Sequence, residues 1–193
     1  MDRVGFLSAP GHTPEAQAIF DEDTEELGYV MNVSKLWAYQ PDSLTGLFAL
    51  MRQVLADANL SLRQRGVLVA AAASARRDSY CSLAWGSKLA ATADAGVAAS
   101  VLRGEPDRLA DGDKEIATWA RKVVEDPNSS TESDIRALEK AGFDDRQIFA
   151  MTAFIALRLA FSTINDALGA VPDEELRSSV PSEVLSAVDY GRS

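Results

Sequence analysis

The sequence of 193 residues contains one cysteine, Cys81, and one histidine, His12. A single cysteine excludes an intrachain disulfide. One cysteine with one histidine also argues against a zinc site of the usual Cys/His kind and against a Cys–His catalytic pair. Any chemistry must therefore depend on Cys81, on carboxylates and hydroxyls, or on a bound cofactor. No motif for a cofactor or a metal is present, and we predict neither.

Basic residues are scarce: the sequence has 19 Lys and Arg but 29 Asp and Glu, which gives a net charge of -10. Such a surface repels phosphate backbones and anionic lipid, so we predict neither a nucleic-acid nor a membrane partner. Long apolar runs are also missing, since a membrane span needs about 18–20 such residues and the segment Phe149–Phe161 is interrupted by Arg158. The first apolar stretch is shorter than the core of a secretory signal. We expect a soluble cytoplasmic protein.

The composition that remains is that of an ordinary globular protein, with 47% hydrophobic and 25% charged residues. A chain of this length can build one core of good size without disulfides or metals. We predict a single domain over residues 1–193, with an N-terminal segment 1–12 and a polar C-terminal tail 173–193.

Helix signals dominate the chain, and no strand pattern is convincing, so the predicted fold class is all-α. Ser61 and Gln64 have the form of a capping box, and Thr13 followed by Pro14 is typical of a helix start. The most apolar predicted helix follows Asp144, and we expect it in the core or in a subunit interface. Helix starts are predicted at Thr13, Pro41, Ser61, Asp78, Gly96, Asp113, Thr131 and Asp144.

Two neighbouring helices carry the most specific pattern. The first opens with Leu-Ser-x-Arg-x-Arg at residues 60–65 and continues into a run of alanines, and the second contains Tyr-Cys-x-x-Ala-x-Gly at residues 80–86. These two motifs and their separation resemble the AhpD-like superfamily of alkylhydroperoxidase D and carboxymuconolactone decarboxylase proteins. The resemblance is greatest to the peroxidase-related branch and extends over about three quarters of the chain, from Leu27 to Asp173. It implies an AhpD-like helical bundle and a homo-oligomer.

The resemblance also implies a site of four groups: a glutamate, two cysteines spaced Cys-x-x-Cys, and a histidine. One thiolate attacks the peroxide, the partner thiol resolves the sulfenic acid to a disulfide, and the other two groups move protons. In this chain the four positions are occupied by Gly66, Asp78, Cys81 and Trp85. Only the second cysteine remains, so a disulfide cycle within one subunit is excluded.

Two functions remain open. In the first, the chain is a peroxidase-related oxidoreductase that reduces small hydroperoxides through Cys81 alone, with an external thiol as reductant. In the second, it is a non-catalytic oligomeric scaffold or a protein that binds a small apolar ligand and has lost the peroxidase site. The decarboxylase activity of the superfamily would need acid–base groups that the sequence does not offer.

Each candidate residue has a structural interpretation beside the functional one. With Asp78 as the N-cap, Cys81 lies in the first helical turn, where the helix dipole favours a thiolate while burial opposes it. Trp85 is either core or the wall of a remodelled pocket, and Gly66 is expected to allow the close approach of Trp85 or of another helix. Arg158 needs a partner, which is either a carboxylate in a structural ion pair or a bound anion, and we expect the carboxylate. His12 is expected in an exposed loop.

Overall fold

The computed structural model describes residues 3–56, 58–105 and 108–192. Met1 and Asp2 of the predicted N-terminal segment and Ser193 of the predicted tail lie outside these ranges. The described residues form a two-stranded antiparallel hairpin and eleven α-helices, which confirms the all-α prediction. The elements are β1 (Arg3–Val4), β2 (Leu7–Ser8), α1 (Pro14–Leu27), α2 (Asn32–Trp37), α3 (Pro41–Ala56), α4 (Leu62–Arg76), α5 (Ser79–Thr92), α6 (Ala95–Arg103), α7 (Asp111–Glu125), α8 (Glu132–Lys140), α9 (Asp145–Ala167), α10 (Glu174–Ser179) and α11 (Ser182–Ala187).

Local capping sets the starts of the helices around the site. The Ser61 hydroxyl accepts from the Gln64 N–H at 3.1 Å, and the Gln64 side chain accepts from the Ser61 N–H at 2.8 Å, so the predicted capping box is present. Asp144 and Gln147 form the same box at the start of α9. These contacts satisfy N–H groups that have no partner inside the helix.

Some boundaries differ from the sequence prediction for physical reasons. Helix α7 begins at Asp111 rather than at Asp113. The Asp113 carboxylate does not cap the helix, because it accepts from Arg63 Nη2 at 2.6 Å across to α4. Helices α2 and α10 were not predicted, since each has six residues and shows too little of the helical period to be recognised.

Helix α4 lies at the centre of the fold and packs against α5, α6, α7 and α9. Residues 66–74 are all buried, and the four alanines Ala70–Ala73 leave little side chain between α4 and its neighbours. This close approach brings the first turn of α5 next to α9. It thereby places the predicted site residues of α5 in the interior.

Helix α9 is only partly buried, although the sequence predicted an apolar surface nearly all round. Its inner face holds Met151 and Ile155, while Phe149 is 74% exposed. By length and composition alone α9 could cross a membrane, which is weak evidence, because core helices of soluble proteins pass the same test. The helix buries the polar side chains of Arg158, Ser162 and Asn165 against other helices.

Candidate functional site around Cys81

A tight connection between α4 and α5 builds the first turn of the site. Arg77 ends α4 in the left-handed region at φ 62, which is uncommon for a residue other than glycine. The chain then enters α5 through Asp78, whose Oδ1 accepts from the Cys81 N–H at 2.9 Å. Asp78 is therefore the N-cap, and Cys81 is the third residue of α5, as predicted.

The Cys81 thiol is enclosed and held in place. Its residue is 3% exposed, its Sγ accepts from Arg158 Nη2 at 3.2 Å, and the Ser162 hydroxyl lies 3.7 Å away. Burial raises the pKa of the Cys81 thiol to about 12 and outweighs the nearby Arg158 charge, which lowers it. Asp78 raises this pKa further. The thiol is thus protonated at neutral pH in this conformation.

Arg158 lies between two aromatic rings. Its guanidinium carbon is 5.6 Å from the ring centre of Trp85 and 5.1 Å from that of Phe161. Among the residues that the structure describes, no carboxylate lies within ion-pair distance of Arg158, so the predicted ion pair is wrong. The charge is instead stabilised by the two rings and by the sulfur of Cys81. Trp85 is half-buried and also has Lys88 over its ring, at 5.0 Å.

Two polar atoms beside Cys81 are buried without a hydrogen-bond partner within the described ranges. They are Asp78 Oδ2, an acceptor, and Arg158 Nε, a donor. Asp166 lies one helical turn beyond Ser162, and burial raises its pKa to about 6, with a further rise from Asp78. Arg76 and Arg192 oppose that rise. The groups next to Cys81 are therefore polar, and the charge of Asp78 affects the pKa values of both Cys81 and Asp166.

Gly66 occupies the position where the resemblance implies a glutamate, and it has no side chain that could act on Cys81. A Cβ built on Gly66 would lie 3.2 Å from both Cβ and Cδ1 of Leu89. Leu89 supplies the three heavy atoms nearest to this Cβ, so Gly66 allows the close approach of α5 at Leu89 rather than at Trp85. In the structure, Cys81 contacts both Asp78 and Arg158, and Arg158 contacts the ring of Trp85. Gly66 instead packs against α5.

His12 lies apart from the Cys81 cluster. It is exposed, as expected, and its Nε2 lies 2.6 Å from Gln17 Oε1. The sequence reasoning missed Ser162 as a neighbour of the thiol and Phe161 as a neighbour of Arg158. The spacing of Ser162, four residues after Arg158 on the same helix face, could have identified the first of them.

A cavity of about 450 Å³ opens beside this cluster. Phe161 belongs to both, because its ring contacts Arg158 and also lines the cavity. Trp37 stacks on Phe161 with ring centres 5.8 Å apart, and Phe48 meets Phe161 edge-on at 5.4 Å. We call this space the aromatic cavity; its polar lining includes Glu22, Asp23, Glu26, Ser34, Thr45 and Arg52.

A second cavity of about 540 Å³ lies along α5 and is lined by Tyr29, Tyr80 and Lys88. The Tyr80 hydroxyl donates to Asp173, which also accepts from the Asn32 N–H at 2.8 Å. Cys81 lines neither cavity. Within residues 3–56, 58–105 and 108–192, no three His, Cys, Asp or Glu side chains come together as a metal site.

Comparison with solved structures places this arrangement in a known architecture. A protein from Ralstonia eutropha JMP134, described as an alkylhydroperoxidase AhpD core and an uncharacterized peroxidase-related protein, superposes with a TM-score of 0.75 at 23% identity. The match covers 91% of this chain and 96% of that one. An uncharacterized peroxidase-related protein from Silicibacter sp. TM1040 superposes with a TM-score of 0.80 at 22% identity, over 91% of this chain and 95% of that one.

This chain has the AhpD-like fold. The debrominase Bmp8 also resembles it, with a TM-score of 0.75 at 14% identity over 97% of this chain and all of that one. A cysteine-to-alanine variant of Bmp8 is known in complex with 2,3,4-tribromopyrrole. Proteins with the AhpD-like fold thus differ in activity. No protein-family model matches the sequence, and no curated protein matches it significantly.

Proposed function

We propose that this AhpD-like protein binds a small, flat organic molecule in the aromatic cavity and has lost the dithiol peroxidase cycle. The observation that carries the proposal is the cavity of about 450 Å³, lined by Trp37, Phe48 and Phe161, beside a thiol that is protonated at neutral pH. Ligand sites are concave, mostly apolar and fitted with a few polar groups, as this cavity is. The complex of Bmp8 with tribromopyrrole supports a flat ligand on this fold.

The lining charges favour a ligand that carries a positive charge. Glu22, Asp23 and Glu26 line the cavity, and among the described residues that line it Arg52 is the only cation. Asp23 is buried, its carboxylate accepts from the Met31 N–H at 2.9 Å, and burial raises its pKa. A flat cation would stack on the rings and would compensate the desolvated carboxylate.

A matched charge series tests this function. N-methylquinolinium, naphthalene and naphthoate share a flat two-ring shape and differ in charge, and their binding can be followed by calorimetry. We expect N-methylquinolinium to bind about tenfold more tightly than naphthoate. The Phe48→Ala variant should weaken binding, whereas Phe149→Ala, which removes an exposed ring outside the cavity, should not. Absence of saturable binding by all three probes would contradict the proposal.

A second function, hydroperoxide reduction by one cysteine, is favoured by the Arg158 and Ser162 contacts to the sulfur. The Cys81 thiolate would attack a peroxide oxygen and release the alcohol, leaving a sulfenic acid. Two molecules of an external thiol would then restore Cys81 and leave as a disulfide with water. Burial and the raised pKa of Cys81 oppose this cycle. Peroxide consumption with a monothiol reductant, abolished by Cys81→Ser, would establish it.

We also propose that the protein is cytoplasmic and forms a homo-oligomer through the outer face of α9. Phe149 is 74% exposed on this face, and Ala156 and Ala160 are exposed beside it. From residue 147 to residue 165 the single ionisable side chain of α9 is Arg158, which points inward. In a chain of net charge -10, an uncharged apolar face allows a second copy to approach without repulsion.

A further inference from the structure

Residues 188–192 follow α11 without regular structure and lie across the first turn of α5. The Tyr190 hydroxyl donates to Ser82 Oγ at 3.0 Å, and the Ser79 hydroxyl donates to the Arg192 carbonyl oxygen at 2.7 Å. Ser79 and Ser82 flank Cys81 in the sequence of α5. We call residues 188–192 the strap.

The other side of the strap is fastened to α9 and to the N-terminal hairpin. Arg192 Nη2 donates to the Asp166 carbonyl oxygen at 2.9 Å, and the Arg192 guanidinium lies 4.7 Å from the ring centre of Phe6. Arg77 lies over the ring of Tyr190 at 5.5 Å. The strap therefore bridges the seam between the start of α5 and the end of α9.

The fit of the strap at Gly191 is close. Gly191 has φ +76, and a Cβ there would lie 2.7 Å from Ser79 Cβ and 2.9 Å from the Arg77 carbonyl oxygen. A larger residue would thus be strained by its backbone and would also collide with the turn that leads into Asp78. The strap can lie on this turn because glycine occupies this position.

The seam beneath the strap contains the thiol cluster. Asp78, the N-cap next to Ser79, is 1% exposed, and Ser162, one turn before Asp166 on α9, contacts the Cys81 sulfur. The contacts of the strap are mostly hydrogen bonds and cation–ring contacts, and it lacks the intrahelical bonds that hold α5 and α9. Segments of this kind open at lower free energy than a helical core.

We propose that the strap controls access to Cys81: closed, it seals the seam between α5 and α9, and released, it exposes the thiol to small solutes. This regulation goes beyond ligand binding in the aromatic cavity, because no residue of the strap lines that cavity or the cavity along α5. The reactivity of the buried thiol then depends on whether the strap is closed or released.

The test compares thiol labelling of two glycine variants with that of the wild type. Methyl methanethiosulfonate transfers its methylthio group to the Cys81 thiolate and releases methanesulfinate, and mass spectrometry follows the product. Gly191→Val should displace the strap, so we expect labelling at least about tenfold faster. Gly142→Val is the matched control, because Gly142 has φ +95 but nothing within 4 Å of an added Cβ. This control should label at the wild-type rate.

A second pair of variants avoids backbone strain. Tyr190→Ala removes the bond to Ser82 and the ring under Arg77, whereas Tyr39→Ala removes an exposed tyrosine that bonds to Ser8. Circular dichroism identifies which variants are folded, and only folded ones are compared. Faster labelling in either strap variant than in its control supports the proposal. Rates within about twofold of the wild type in every folded strap variant would overturn it, whatever the cavity binds.

Discussion

Arg158 Nη2 lies 3.2 Å from Cys81 Sγ and donates to it across the interface between α5 and α9. The pair has no carboxylate at ion-pair distance within the described ranges, and the cation is held by the rings of Trp85 and Phe161. A buried guanidinium is costly unless its charge is compensated, and polarizable rings and a sulfur compensate it only in part. The arrangement therefore orients the thiol without ionising it.

The charge of Asp78 is one cause of the high pKa of Cys81, and Asp78→Asn should reveal it. Asparagine keeps the N-cap acceptor for the Cys81 N–H and removes the negative charge. We expect the pKa of Cys81 to fall by roughly one unit with little loss of stability. The ultraviolet absorbance of the thiolate, titrated against Cys81→Ser as a blank, measures this change.

Asp94→Asn is the matched control for that prediction. Asp94 caps α6 by accepting from the Val97 N–H at 2.8 Å and is not among the groups that shift the pKa of Cys81. Its substitution should leave the thiol titration unchanged. An unchanged titration in Asp78→Asn as well would show that the charge of Asp78 does not contribute to the raised pKa of Cys81.

Gly66→Ala should destabilise the protein, although alanine favours a helix by about 1 kcal/mol. The new methyl group would meet Leu89 Cβ at 3.2 Å, and Leu89 is fully buried on α5, so the two helices must separate. We expect a net loss of about 1 kcal/mol in the free energy of unfolding by urea denaturation. Gly46→Ala in α3, with nothing within 4 Å of the added Cβ, should instead stabilise.

A double-mutant cycle separates the contact from other effects of Gly66→Ala. Leu89→Ala removes Cδ1, which also lies 3.2 Å from the added Cβ, but it keeps Leu89 Cβ, so the cost of Gly66→Ala should shrink only in part in this background. Equal costs in both backgrounds would show that the contact with Leu89 Cδ1 adds nothing to the cost.

Local signals made the helix starts predictable. A cap and its partner are three residues apart in the sequence, as for Ser61 with Gln64 and Asp144 with Gln147, so a pattern along the chain identifies both. The same reasoning placed Cys81 in the first turn of α5. It failed at Asp113, whose carboxylate binds Arg63, 50 residues away in the sequence.

The surroundings of the thiol depend on contacts between distant segments, which one sequence does not reveal. Arg158 was recognised as needing a partner, but a carboxylate was expected and sulfur with two rings was found. The sequence predicted the strap only as part of a polar tail. Tyr190 and Ser82 are 108 residues apart, so no local pattern in the sequence indicates their contact. The motif directed attention to Cys81, whereas the surroundings of its thiol depend on tertiary packing.

Asp166 should make stability fall as pH rises. Its pKa is raised to about 6, chiefly by burial, whereas an unfolded aspartate titrates near about 3.9. Between these values the folded state binds more protons than the unfolded state, so the free energy of unfolding decreases with increasing pH. Asp166→Asn removes this effect. The stability of the variant relative to the wild type should therefore increase as the pH rises from about 4 to about 7.

The gain in the free energy of unfolding should be well below about 1.4 kcal/mol for each pKa unit, because the half-buried carboxyl of Asp166 is screened by solvent. Urea denaturation at several pH values measures it. Asp134→Asn provides a control of opposite sign: the Lys122 contact lowers the pKa of Asp134 to about 2, so its contribution is constant above about pH 5. A pH-independent difference for Asp166→Asn would contradict the prediction.

The outer face of α9 should be the contact between subunits, and Phe149→Glu should disrupt it. A charge at this 74%-exposed position would be buried without a partner in the interface, and it would add to the negative charge of both copies. Sedimentation velocity should show the wild type as a multiple of 20.7 kDa and the variant at 20.7 kDa. Leu185→Glu, on α11 and 40% exposed, should leave the wild-type mass. A subunit contact of standard size does not tolerate an unpaired charge near its centre. A monomeric wild type, or an oligomer that persists in Phe149→Glu, would therefore show that this face is not the subunit contact.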